Sequence, residues 1–117
     1  MATVEEREIL RAELQRAINE KEPGIKVFDW TFGNEETGDV QVFVREPNRY
    51  AKNAAIDEMN ISETKSKELL FSVCVIKEHT DPRVTDGKPE NDMFYYAVLM
   101  KMDSLINWYS IDFLKKK

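Results

Sequence analysis

The sequence predicts an α+β fold: an N-terminal helix packed on a curved antiparallel sheet of four to five strands, in the order α-β-β-α-β-β, closed by a further strand or helix. Three observations predict it. A capping signature opens a stretch of helical periodicity at residues 3–20. Two alternating stretches, 26–32 and 40–45, are joined by a short turn bracketed by glycines. Two apolar runs, 69–77 and 93–102, flank a polar segment at 78–92.

The first helix starts at Thr3, whose hydroxyl and the carboxylate of Glu6 suit a capping box. Leu10, Leu14, Ala17 and Ile18 recur at helical spacing, and Pro23-Gly24 ends the helix. In the first strand Phe28, Trp30 and Phe32 share one face, while Val27, Asp29 and Thr31 share the other. In the second, Val40, Val42 and Val44 share a face. Seven residues from Gly33 to Asp39 separate the strands, too few for a parallel crossover, so the pair reads as an antiparallel hairpin. Residues 49–60 form a second helix with Ala51, Ala55 and Met59 at i, i+4 and i+8, and its alanines point to close packing on a sheet. Residues 61–67 read as a polar connection that could hold a short helical turn.

The runs 69–77 and 93–102 are apolar on both faces, as interior strands are, and so read as a second hairpin. Residues 104–114 fit two patterns. Leu105, Trp108 and Ile111 could line a helix, or Tyr109, Ile111 and Phe113 a strand, and the β-branched and aromatic content favours the strand. The element order is similar to that of cystatin-like and NTF2-like domains, which wrap a curved sheet around a helix, and to profilin-like and roadblock-like domains. This is an architectural analogy, carried by no motif.

The 117 residues read as one domain, 1–117, long enough to bury a core. A 42% hydrophobic content argues against disorder. No run is long enough for a bilayer-spanning helix, and the first residues lack a signal-peptide pattern, so a soluble cytoplasmic protein is expected. The formal net charge of -5 argues against nucleic acid and suits a basic protein partner. The one basic run, Lys115-Lys116-Lys117, reads as a solvated end.

The segment 78–92 holds the only histidine, two of the four prolines and several acids. His79 and Asp81, with Asp86, Glu90 and Asp92, lack the spacing of zinc or EF-hand ligands, so no metal is expected. Asp81-Pro82 and Asp86-Gly87 are turn pairs. His79 could act as a general base only beside a second group and a pocket, neither of which the sequence supplies. Cys74, the only cysteine, lies among apolar neighbours and reads as core. No phosphate-binding loop or nucleophile elbow is present, so neither cofactor nor catalytic residue is assigned.

The leading functional reading is a small, acidic, non-enzymatic protein-interaction domain. It would be an inhibitor, immunity or anti-defence protein that occludes a basic surface of its partner. Its contacts would be Glu35, Glu36 and Asp39 in the first turn, with His79, Asp81, Asp86, Glu90 and Asp92 in the long segment. If the two hairpins ran the same way, both loops would share one end of the sheet. The alternative is a cystatin-like or NTF2-like small-molecule binding domain or enzyme, with an aromatic pocket made by Phe28, Trp30 and Phe32 and with Asp29 or His79 as its polar group. A third reading is a homodimer pairing exposed sheet faces.

Overall fold

The computed structural model describes residues 3–106. Its elements are α1 (Val4–Lys21), β1 (Val27–Asn34), β2 (Gly38–Arg45), α2 (Arg49–Met59), α3 (Glu63–Cys74) and α4 (Asp92–Lys101), with a 3-10 turn at Met102–Leu105. The expected four- to five-stranded sheet is absent among the described residues: the sheet is the single antiparallel hairpin β1-β2. The runs read as third and fourth strands are helical instead, as α3 and α4. No curved sheet wraps a helix, and the α-β-β-α-β-β order becomes α-β-β-α-α-α.

The physical reason lies in the burial of α3 and α4. A helix covered around much of its circumference presents apolar residues on every side, and over a short run this cannot be told from a two-sided strand. The buried residues of α3 are Ser66, Leu70, Phe71 and Cys74, spaced for one helix face. Those of α4 are Phe94, Val98 and Leu99, continued by Met102 and Leu105. The residues read as a polar connection at 61–67 hold the start of α3, where the Ser62 hydroxyl caps the helix by accepting from the Lys65 amide at 3.3 Å. Only Val75, just beyond α3, pairs as a strand residue, in an isolated antiparallel bridge to Val44. Of the ambiguous stretch 104–114, residues 104–106 belong to the closing turn; the rest lies outside the described residues.

The remaining elements form where the periodicity puts them. The Thr3 hydroxyl accepts from the Glu6 amide at 3.0 Å while the Glu6 carboxylate accepts from the Thr3 amide at 3.4 Å, so the capping box is complete. The hairpin register runs from Val27 opposite Arg45 to Asn34 opposite Gly38. Gly33, at φ +113°, has the one backbone shape that lets the strand enter the turn, and a Cβ there would collide with the Gly38 carbonyl. The side chain of Asn48 caps α2 through the Ala51 amide at 2.9 Å. The buried alanines of α2 pack against α3 rather than a sheet, and the Ser66 hydroxyl donates to the Ala55 carbonyl at 2.7 Å. Small residues at 51, 55 and 66 permit that approach.

The hairpin lies between two layers. Its Trp30, Val40, Val42 and Val44 join Ala55, Leu70, Phe71, Cys74, Phe94, Val98 and Leu99 in the core. On the other side lies α1, in which no residue is fully buried; Leu10, Leu14 and Ile18 are half-covered. Polar contacts hold much of this joint. Gln15 bridges the Ile25 carbonyl and the Val27 amide, at 2.6 and 2.8 Å, and Arg11 reaches the Val27 carbonyl. The sheet face that a sheet-to-sheet dimer would need is therefore taken up by α1. Among the described residues, no helix is long and apolar enough to cross a membrane.

Candidate functional site

The segment 78–92 joins α3 to α4 and is not a hairpin loop. It is built from three single-turn 3-10 helices, at Lys77–His79, Pro82–Val84 and Pro89–Asn91. Its first part runs along the free edge of β2. The Ile76 amide donates to the Phe43 carbonyl at 2.8 Å, the Phe43 amide to the Thr80 hydroxyl at 3.2 Å, and the Asp81 amide to the Gln41 carbonyl at 2.8 Å. Buried Val84 anchors the middle.

Arg83 fastens this segment to the hairpin turn. Its guanidinium donates to the Thr37 carbonyl at 2.9 Å and the Asp39 carbonyl at 3.5 Å, pairs with Asp81 at 2.9 Å, and lies 5.0 Å from the centroid of the Phe94 ring. Asp81 also accepts from the Arg83 amide, capping the turn that carries Arg83. These hydrogen bonds hold its carboxyl below the usual aspartate range, and burial only partly opposes them. Asp81, predicted as a partner contact, is thus already matched within the chain.

An open groove of about 320 Å³ follows, lined by Asp39, Gln41, Glu78, His79 and Asp81. Of the first-turn acids only Asp39 lines this groove with segment 78–81, because the segment follows β2 back toward the turn; no second hairpin exists among the described residues. Glu35 and Glu36 are exposed at the tip of the turn. The Asn34 side chain shapes that tip, accepting from the amides of Glu36 and Thr37 at 2.9 and 3.0 Å. Glu35, Glu36, Asp39 and Glu78 make no ion pair among the described residues.

Asp86, Glu90 and Asp92 do not join that groove. Asp86 is folded into its own turn, accepting from the Lys88 amide at 2.9 Å and the Asn91 side chain at 2.7 Å, with Gly87 at φ +74° completing the bend. The sequence gives Asp81 and Asp86 to turns and offers Glu78 only as a possible partner of His79, while no motif in it singles out Arg83. The only hint of Arg83 is its place two residues after Asp81, where an aspartate that caps a turn can also hold the guanidinium.

Of the predicted aromatic set, Phe28 and Trp30 line a shallow cleft of about 180 Å³ with Glu46, Ser104 and Leu105, without Phe32 or Asp29. Register puts Phe28, Trp30 and Phe32 on the core face and Asp29 on the opposite one. Trp30 is buried, with Phe32 edge-on at 6.5 Å and the Lys101 ammonium 4.8 Å from its ring centroid. His79 lies in the acidic groove and lines no cleft with them. Asp29 sits beneath α1, 3.6 Å from Arg7, and its buried Oδ1 has no hydrogen-bond partner among the described residues. Desolvation raises its pKa and Arg7 opposes the rise. Arg7 has other acceptors: Thr31 at 3.2 Å and, with the Gln41 amide oxygen turned toward it, Gln41 at 2.9 and 3.0 Å. This side of β1 is drier than simple alternation implies.

Cys74 is fully buried, and desolvation pushes its thiol up to about 12, which leaves it unreactive in the folded chain. Among the described residues no group of three or more His, Cys, Asp or Glu is arranged to hold a metal. Comparison with protein-family models, curated proteins and solved structures finds no significant match.

Proposed function

We propose that the protein is a small, non-enzymatic protein-interaction domain that occludes a basic surface of a protein partner, as an inhibitor, immunity or anti-defence protein does. The observation that carries this reading is the Arg83 bridge, which joins two chain segments into one acidic end. Glu35, Glu36, Asp39 and Glu78 there have no internal counter-ion among the described residues, so their charge is available to a partner. A Lys or Arg of the partner enters the groove between Asp39 and Glu78, beside His79. Charges of this kind chiefly speed association and select among partners, so capture weakens as salt rises. Asp86, Glu90 and Asp92 take no part in this contact.

The test compares the immobilised protein with its Asp39→Lys/Glu78→Lys variant in extracts of the native host, with quantitative mass spectrometry of what each retains. A basic protein held by the first and lost by the second supports the reading. Equal retention by both removes the groove from it.

A further inference from the structure

Beyond Pro82–Val84 the connecting segment encloses a second cleft, of about 250 Å³, together with the nearest parts of α3 and α4. It is distinct from the acidic groove and has a different chemistry. One wall is aromatic. Phe71 lies 5.0 Å from Tyr95 and Tyr95 lies 5.1 Å from Tyr96, measured between ring centroids. Phe71 is buried, Tyr95 half-buried and Tyr96 exposed, so the rings step outward from the core to the rim. The α3–α4 packing and the adjacent turns fix this wall from behind.

The remaining lining carries Lys77, Lys88 and Asp92. None of these three side chains makes a hydrogen bond or ion pair among the described residues, and neither do the hydroxyls of Tyr95 and Tyr96. Three of the other polar side chains of the cleft, those of Arg83, Asp86 and Asn91, are committed. Asp86 accepts from Lys88 N and Asn91, and Arg83 is engaged by Asp81 and the hairpin turn. Setting Arg83 against Asp81 leaves two ammonium groups, on Lys77 and Lys88, and two carboxylates, on Asp86 and Asp92, among the lining residues. A site balanced in this way gives a simple anion or cation little net attraction, whereas a ligand bearing both signs can meet both sets. Apolar wall and few unmatched polar groups are the usual make-up of a small-molecule site. A cavity of ~150 Å³ admits benzene, so this one has room for a ring and a short polar chain.

We infer that this cleft binds a small zwitterionic aromatic molecule, of the class of a free aromatic α-amino acid. The ring lies against Phe71, Tyr95 and Tyr96, the carboxylate meets Lys77 and Lys88, and the ammonium meets Asp92. The inference is independent of the acidic groove and of the function proposed for it.

The test is a nitrogen-15 NMR titration with three probes, L-phenylalanine, N-acetyl-L-phenylalanine and L-phenylalaninamide, each taken to about 10 mM so that millimolar affinity is seen. L-phenylalanine is expected to give saturable shifts at the amides of Phe71, Lys77 and residues 84–96. The two blocked forms, each lacking one charge, are expected to bind at least about tenfold more weakly. Tyr96→Ala and Lys88→Ala, both at exposed positions, are expected to weaken L-phenylalanine about tenfold without disturbing the rest of the spectrum. Absence of saturable shifts, shifts centred elsewhere, or unchanged affinity in both variants would overturn the inference. Equal binding of N-acetyl-L-phenylalanine would also overturn it, and would assign the cleft to aromatic carboxylates such as a peptide C-terminus.

Discussion

Replacing Asp29 by valine is expected to stabilise the protein at neutral pH, although it removes one partner of an ion pair. Oδ1 of Asp29 is buried without a hydrogen bond, a defect that costs about 1–3 kcal/mol. Valine removes that oxygen and suits a strand, by up to ~1 kcal/mol on the β-propensity scale. Against this stands the loss of the Arg7 contact, a loose pair at 3.6 Å between two largely covered side chains, where an unpaired charge costs more than at the surface. Arg7 keeps Thr31 and Gln41 as acceptors, which limits that cost. The net gain is about 1 kcal/mol, or a rise in Tm of roughly 3–6 °C for a domain of this size. The pH dependence supplies a sharper criterion. The Asp29 carboxyl holds its proton more tightly in the folded chain than in the unfolded one, because desolvation raises its pKa from the ordinary 3.8. The wild type therefore loses stability as pH rises from 3.8 through the folded pKa, and recovers it as pH falls. The advantage of Asp29→Val must shrink as pH is lowered from 7 toward 4. Urea denaturation of both proteins at several pH values measures this. A destabilised variant, or a gain that does not change with pH, refutes the burial argument.

Gly33→Ala is expected to cost at least about 2 kcal/mol by thermal denaturation, since alanine must adopt φ +113° and meet the Gly38 carbonyl. In Arg83→Ala the amides of Asp81 and Phe43 are expected to exchange with deuterium faster while those of α2 and α3 keep their protection, because Arg83 is the side chain that ties 81–83 to the turn. Cys74 is expected to resist a disulfide exchange reagent at pH 8 until the chain is unfolded, so labelling should follow the unfolding transition measured by circular dichroism.

The first half of the chain was legible because its signals are local and agree. Thr3 and Glu6 form a cap within one turn, and the alternation of 27–32 and 40–44 points one set of side chains at a core. The second half misleads because burial erases periodicity. In α4 the buried Phe94, Val98 and Leu99 are accompanied by Met93, Tyr96 and Met100 on the exposed side, so the sequence offers no polar face to mark a helix. In α3 the decisive residue, Ser62, lies in a polar stretch that suggests a connection with at most a short helical turn. The same misreading hid a second set of rings at an open cleft, since Phe71, Tyr95 and Tyr96 belong to the two misread elements. Of the acids of the groove, Asp39 and Asp81 could be named from turn chemistry, and Glu78 could not. Their meeting depends on Arg83 and on the course of 75–81 along β2, which are tertiary facts.

The claim on which the functional reading stands is that the hairpin turn and the segment 79–83 form one surface. A nitroxide attached at Glu36→Cys tests it, since buried Cys74 stays unlabelled. Paramagnetic broadening of the Thr80, Asp81 and Arg83 amides is expected. Sharp signals from those amides in the labelled protein would contradict the claim.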